Sequence, residues 1–207
     1  MQLRDFHPKP KLIAKSSYIL EPRFPVIDAH NHLGEAFGGS WDQRPVSELL
    51  DILNNAHVRV YIDLDGGWGE DILLRHLDYF KAAAPERFLV FGGVDWRGFQ
   101  QHGDQFGEYA ASRLRVQVGY GADGLKIWKG FGLQVKDQHG EIVSVDDPRL
   151  DPLWKTAGEL SFPVVIHVAD PWRSFGSWMC ITSAGKSFRS IQIGNFQALH
   201  SPPSIAF

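Results

Sequence analysis

The stretch Val26-Ile27-Asp28-Ala29-His30-Asn31-His32 is a short hydrophobic run that closes on two histidines. Four similar runs of β-branched and aromatic residues follow it, and they begin near residues 58, 88, 124 and 163. Helical hydrophobic spacing fills the intervals, at 45–56, 70–84, 106–121 and 151–160. Strands that alternate with helices at steps of roughly 30 to 40 residues are typical of consecutive βα units around a parallel sheet. The sequence therefore predicts an α/β fold.

The composition excludes several classes of protein. With 207 residues, 43% of them hydrophobic and 22% charged, the chain can bury a core of its own. The near balance of 21 basic and 24 acidic residues argues against a nucleic-acid partner, and the single cysteine rules out an intramolecular disulfide framework. There is no run of about 18 apolar residues to span a membrane, and the N-terminal residues lack the apolar segment of a secretory signal. We therefore expect a cytoplasmic protein that acts on a small molecule.

His30 and His32 are the most specific signal in the sequence. Side chains two residues apart on a strand point to the same face, so the two imidazoles can converge on one metal ion. Neutral imidazole suits zinc and the later first-row divalent ions. The alternative is a pair of structural histidines at the end of a strand. We interpret the pair as metal ligands.

Two further polar residues interrupt hydrophobic strands. His167 follows the run 163–166, where a lone histidine is more often a core residue but could here supply a third metal ligand. Lys126 lies within the run 124–129, and a lysine inside a buried strand is costly unless it is paired or chemically changed. If Lys126 points inward, it could bind a substrate carboxylate or become carbamylated and bridge two metal ions. If it points outward, it merely reaches solvent.

The remaining candidates lie where strands meet their loops. Asp65 and Asp170 follow the second and fifth strands, and we assign both to catalysis because ligands of parallel α/β folds bind at the carboxyl ends of strands. Trp68, in the glycine-rich turn after Asp65, could stack on a substrate. Three other histidines fall on or near helices and are predicted to lie at the surface: His57, His76 and His102.

Together these motifs resemble the amidohydrolase superfamily. The matching motifs lie at 26–34, 124–126 and 163–171, and the resemblance extends over about residues 10–173. Within the superfamily, the chain is similar to the amidohydrolase-related branch that includes the aminocarboxymuconate-semialdehyde decarboxylase type. The resemblance implies a (β/α)8 barrel with one or two divalent metal ions at its carboxyl-terminal mouth. It also implies His30, His32 and His167 as metal ligands, with zinc as the expected metal and manganese or iron as alternatives.

The resemblance also implies a chemistry, and that chemistry is hydrolysis. The metal ion would activate a water molecule and polarise the carbonyl of an amide or lactone. Lys126 would match the metal-bridging lysine that some members carry on the fourth strand. A decarboxylase of the same family, in which the metal site holds a carboxylated substrate, is the alternative among enzymes. An inactive fragment or a metal-binding module without catalysis is the alternative outside them.

The last part of the sequence departs from the family pattern. No Asp or Glu follows Asp170, so the aspartate that the family carries on its eighth strand has no candidate. We therefore expect an N-terminal arm at 1–22, a partial (β/α)8 barrel of about five βα units at 23–173, and an irregular tail at 174–207. Truncation or a shifted reading frame near 173–174 would produce this pattern. The open edges of a partial barrel favour association, so we also expect a homo-oligomer.

Overall fold

The computed structural model describes Tyr18, residues 20–35 and residues 38–167. Residues Pro25–Ala169 form one compact unit. Asp170, one of the predicted catalytic residues, lies outside the described residues, as does the tail predicted at 174–207.

Five parallel strands form the centre of this unit. They are β1 (Val26–Asn31), β2 (Val58–Asp63), β3 (Phe88–Gly93), β4 (Gly124–Ile127) and β5 (Val164–Ile166). Each strand pairs in parallel with the next, so the spatial order equals the order along the chain. A doubly wound sheet reverses its order at a switch point, whereas the strands of a (β/α)8 barrel follow one another in sequence. The predicted α/β fold, with the strand order of a partial barrel, is confirmed.

The sheet is curled. In a flat sheet, four strand spacings of about 4.8 Å would place β1 roughly 19 Å from β5. Instead, the ring centroid of His30 on β1 lies 5.6 Å from that of His167, which directly follows β5. The strands therefore bend toward one another as in half of a barrel, and the polar side chains at their carboxyl ends share one interior.

Helices connect the strands, and all of them except the short third helix lie in the intervals that the sequence predicts. They are α1 (Val46–Asn55), α2 (Glu70–His76), α3 (Phe99–His102), α4 (Phe106–Tyr120) and α5 (Asp151–Glu159). α2 continues directly into a π-helical turn at Leu77–Lys81. Gly121 caps the C-terminal end of α4, and its φ of 98° lies in the left-handed region that glycine adopts without strain. Within the described part of the chain, no helix combines the length and the apolar composition that a membrane crossing requires.

Two hydrophobic clusters hold the helices against the sheet. The larger one joins α4 and α5 to β4, where Leu114 packs with Leu125 and Ile127. The smaller one joins α1 and the π-helical turn to β2 and β3, where Leu53 packs with Phe88. Burial of each such side chain contributes about 1.5–3 kcal/mol. The helices thus cover one side of the sheet and leave the other side for the polar residues at the strand ends.

Gly93 allows β3 to touch the loop that follows β2. A Cβ atom at position 93 would lie 2.5 Å from the Cα of Gly67, closer than two non-bonded carbons approach. We expect Gly93→Ala to lower the free energy of unfolding by about 1–3 kcal/mol because the added methyl overpacks this contact. Gly119→Ala, on α4 with open space around the added Cβ, is the matched control and should stabilise by roughly 0.5–1 kcal/mol. Urea unfolding measures both values, and a Gly93→Ala variant as stable as the wild type would contradict the contact.

Candidate metal centre

Three histidines meet at the carboxyl ends of β1 and β5. The ring centroid of His30 is 5.9 Å from that of His32 and 5.6 Å from that of His167. Zinc–nitrogen bonds are about 2.0–2.1 Å long, so imidazoles that share one ion have ring centroids roughly 5–6 Å apart. The His30–His32 and His30–His167 centroid distances therefore both fit ligands that share one metal ion. The structure brings together the three residues that the sequence predicts as metal ligands.

The carboxylate of Asp65 contacts the Nδ1 atom of His32. Asp65 Oδ1 accepts a hydrogen bond from His32 Nδ1 at 2.6 Å and another from Trp68 Nε1 at 3.2 Å. Asp65 Oδ2 accepts one from the backbone N–H of Gly34 at 2.5 Å. When Nδ1 carries the proton, Nε2 of the neutral ring carries the lone pair that a metal ion needs. The contacts of Asp65 are those of a residue that orients His32, and its catalytic role stays a prediction.

A second carboxylate–histidine pair lies next to the first. Asp63, the last residue of β2, and His76, the last residue of α2, are both completely buried. His76 Nδ1 donates a hydrogen bond to Asp63 Oδ2 at 2.6 Å. Asp63 Oδ1 accepts hydrogen bonds from the backbone N–H groups of Leu33 and Asp65, each at 3.3 Å. This pair was absent from the residues that the sequence predicts as functional.

The predicted surface position of His76 is wrong. Its side chain is buried because it lies three residues after Leu73 and four before Phe80, on the face of the helical segment that packs against the sheet. Of the other two histidines in this prediction, His57 is exposed and His102 is half-buried. The signal for His76 was present in the sequence, since its spacing matches the apolar positions of its own helix.

The two buried aspartates differ in their affinity for a proton. Burial raises the pKa of Asp63, and its hydrogen bond with His76 only partly offsets this effect. Burial acts on Asp65 in the same direction, but the hydrogen bonds from His32 and from the Gly34 N–H outweigh it and lower the pKa of Asp65. Burial alone would lower the pKa of His76, yet its hydrogen bond with Asp63 prevails and raises it. Asp65 is thus held as the charged acceptor that an imidazole N–H requires.

Asp63, Asp65 and His76 also offer a second set of metal-ligand atoms. One such atom from each residue lies within 4.8 Å of the other two. The carboxylate oxygens of this set already accept hydrogen bonds from imidazole and backbone donors, so a cation there would compete with those donors for the same oxygen atoms. Two adjoining buried atoms, His76 Nε2 and Asp42 Oδ1, have no hydrogen-bond partner among the described residues.

Lys126 points into the interior of the curled sheet. Its neighbours Leu125 and Ile127 pack on the helix side of β4, and the alternation of side chains along a strand turns Lys126 to the opposite side. The residue is 3% exposed, and its Nζ has no hydrogen-bond partner in the described part of the chain. Removal from water lowers its pKa to about 8. Of the two orientations that the sequence left open, Lys126 takes the inward one.

Aromatic side chains border the histidines. The rings of Trp68 and Trp128 lie 4.4 Å apart, and Trp128 meets His167 edge-on at 5.6 Å. Trp128 also lines a cavity of about 400 Å³, together with Trp96 and Phe131. A cavity of this volume accommodates a small organic molecule. None of the three histidines lines this cavity, and Trp128 is the residue that contacts both the cavity and His167.

Comparison with known proteins adds one similarity. No protein-family model matches the chain, and no curated protein matches it. Among solved structures, the chain is similar to the crystal structure of 2,6-dihydroxybenzoate decarboxylase from Rhizobium, at 15% sequence identity and a TM-score of 0.46. The similarity covers 86% of this chain and 59% of that chain. The chain thus spans about three fifths of the length of that decarboxylase.

Proposed function

We propose that the chain is a metal-dependent hydrolase of the amidohydrolase type, with His30, His32 and His167 as its metal ligands. The observation that carries this proposal is the spacing of the three imidazoles, 5.9 Å and 5.6 Å around His30. Their position supports it as well, because the carboxyl ends of parallel strands are where (β/α)8 enzymes build their active sites. The motif resemblance described above points to the same class of enzyme.

The donor set fits a divalent ion, with zinc as the expected metal and manganese or iron as alternatives. Imidazole nitrogen is a usual ligand of these ions, and the carboxylate of Asp65 fixes the His32 tautomer that can bind one. A bound ion would supply a water molecule of lowered pKa and would polarise the carbonyl of the substrate. Trp68 and Trp128, whose rings lie 4.4 Å apart, offer an aromatic surface to an amide or lactone.

Lys126 provides a buried positive charge on the interior side of the sheet. With a pKa of about 8, its amine is mostly protonated at neutral pH, so the interior favours an anionic group beside it. A substrate carboxylate would meet this requirement. Carbamylation would remove the ammonium instead: the neutral amine would add CO2 and release a proton, and the resulting anionic carbamate would need a metal ion beside it. A bound substrate carboxylate is also the group that a decarboxylase removes. Lys126 therefore supports a carboxy-lyase as the second candidate function.

Metal uptake is the first test of the proposal. After treatment with a chelator, the protein should take up one zinc ion per chain when it is dialysed against the metal, because three imidazoles form a sufficient protein ligand set. Elemental analysis of the dialysed protein gives the stoichiometry, and parallel dialysis against manganese and iron(II) ranks the metals. A protein that takes up none of the three metals would contradict the proposal.

A substrate screen of the metal-loaded protein then identifies the reaction. Hydrolysis of an amide or lactone supports the hydrolase, whereas release of CO2 from a carboxylic acid supports the carboxy-lyase. Metal uptake without turnover of any compound would contradict both and would leave a metal-binding module.

A further inference from the structure

We propose that Asp63 and His76 are positioning residues that hold His32 in its metal-binding orientation. They act through Asp65 and through the backbone that follows His32. This inference rests on the proposed function, in which His32 is a metal ligand. The hydrogen bonds of Asp63 lead to the backbone N–H groups of Leu33 and Asp65 and to His76, so the effect of this pair on His32 is indirect.

One oxygen atom of Asp63 fixes both partners of the His32–Asp65 hydrogen bond. Asp63 Oδ1 accepts from the backbone N–H of Leu33, the residue after His32, and from the backbone N–H of Asp65. The end of β1 and the end of β2 are thereby tied to a common point. The 2.6 Å contact between His32 Nδ1 and Asp65 Oδ1 is set by this tie as well as by its own strength. A displaced Asp63 would therefore loosen His32 relative to Asp65.

His76 in turn fixes the carboxylate of Asp63. Its Nδ1 donates to Oδ2 at 2.6 Å, and both side chains are removed from water. Without this donor, a buried carboxylate oxygen would lose its partner, which favours a rotated or protonated Asp63. His76 is rigid in this role because the 5.2 Å edge-on contact with the ring of Phe80 supports it.

Gly34 packs the two carboxylate–histidine pairs against each other. A Cβ atom at this position would lie 3.0 Å from Asp65 Oδ2 and 3.2 Å from Cε1 of His76. The absence of a side chain at position 34 therefore lets both pairs approach the same piece of backbone. The two pairs form one buried network that runs from α2 to His32.

The tautomer of His32 in metal-free protein tests the proposal directly. Long-range ¹H–¹⁵N NMR spectra of histidine-labelled protein report which ring nitrogen carries the proton, and the wild type should show His32 protonated on Nδ1. We expect Asp63→Asn and His76→Leu to convert His32 to a mixture of tautomers and to lower zinc affinity about 10–100-fold. His76→Asn keeps a donor near the position of Nδ1, so it should retain most of the wild-type spectrum and affinity.

Asp137→Asn is the matched control. Asp137 is also a buried carboxylate, and it accepts hydrogen bonds from two backbone N–H groups and from Arg149 in the loop after β4. Its loss should lower stability without changing the His32 tautomer. If Asp137→Asn changed the His32 tautomer as much as Asp63→Asn does, general destabilisation would be enough to explain the change. That result would overturn the proposal. An unchanged tautomer in His76→Leu would overturn it too, including where Asp63→Asn fails to fold.

Two further outcomes separate this inference from the proposed function. If the wild type takes up no metal but His32 still responds to His76→Leu, the proposed function is wrong and the positioning role stands. If zinc instead shifts the NMR signals of His76 while those of His30 and His167 stay unchanged, the metal binds to the Asp63 set, and the positioning role is wrong.

Discussion

We expect His30→Ala to lower the affinity of the protein for zinc by about 100-fold or more. The variant lacks one of the three proposed metal ligands, whereas loss of a residue that only orients a ligand has a smaller effect. His30 contacts the rings of both His32 and His167, so its removal leaves two imidazoles without the ligand that connects them. The side chain is exposed, and its truncation should therefore change the free energy of unfolding by only about 0.5 kcal/mol. Competition with a chromophoric chelator measures the affinity, and urea unfolding checks the fold.

His139→Ala is the control for this prediction. His139 is exposed in the loop after β4, where its backbone N–H is held by Asp137. The variant should bind zinc as the wild type does, whereas His167→Ala should resemble His30→Ala. Wild-type affinity in His30→Ala would refute the ligand assignment and would direct attention to the set formed by Asp63, Asp65 and His76.

Replacing Lys126 by methionine should stabilise the protein at neutral pH. The pKa of Lys126 is about 8 in the folded protein, whereas a lysine in an unfolded chain has a pKa of about 10.4. Between these two pH values the unfolded state binds more protons than the folded state, so the free energy of unfolding rises with pH. Below pH 8 the full cost of burying the protonated amine of Lys126 is present. This difference of about 2.4 pKa units corresponds to roughly 3 kcal/mol, and methionine fills the same space without that cost.

Urea unfolding of both proteins at pH 7.5 and pH 9.5 measures this effect. Lys126→Met should be the more stable protein by about 2–3 kcal/mol at the lower pH, and the difference should shrink at the higher pH. The comparison must be made between variants, because the raised pKa of Tyr61, which is caused by burial, lowers stability at high pH in both proteins. Lys155→Met, at an exposed position on α5, should show no such pH dependence. A Lys126→Met variant less stable than the wild type would mean that the amine has an anionic partner in solution.

The sequence was sufficient to predict the strands and the meeting of three polar residues at their ends. Strands of a parallel sheet are covered on both faces and appear as hydrophobic runs, so the interruptions at His30, His32 and His167 stood out. Their proximity followed from the rule that the carboxyl ends of such strands share one side of the sheet. The orientation of Lys126 remained open, because alternation along a four-residue strand shows which residues share a face but not which face meets the helices.

The Asp63–His76 pair could not be predicted in the same way. Asp63 lies within a hydrophobic run, where nothing distinguishes a buried carboxylate from the polar end of a strand. The position of His76 on an apolar helix face indicates burial, but its partner belongs to the preceding strand and is fixed by tertiary packing alone. A pattern on one element shows what is buried there, whereas the pairing of two buried polar groups requires the fold.

At the proposed metal site, the curl of the sheet makes the ligand set depend on every strand pairing. His30 and His167 belong to the first and fifth strands, so all four strand pairings together hold them near each other in the folded sheet. Neighbouring strands can pair early because their connections are short, whereas this contact closes the longest loop in the sheet. A metal ion bound at the proposed site would therefore favour the fully paired sheet, with a stabilisation that grows with the logarithm of its free concentration. Fraying of either edge would release the ion, so its residence time would measure how often the sheet opens.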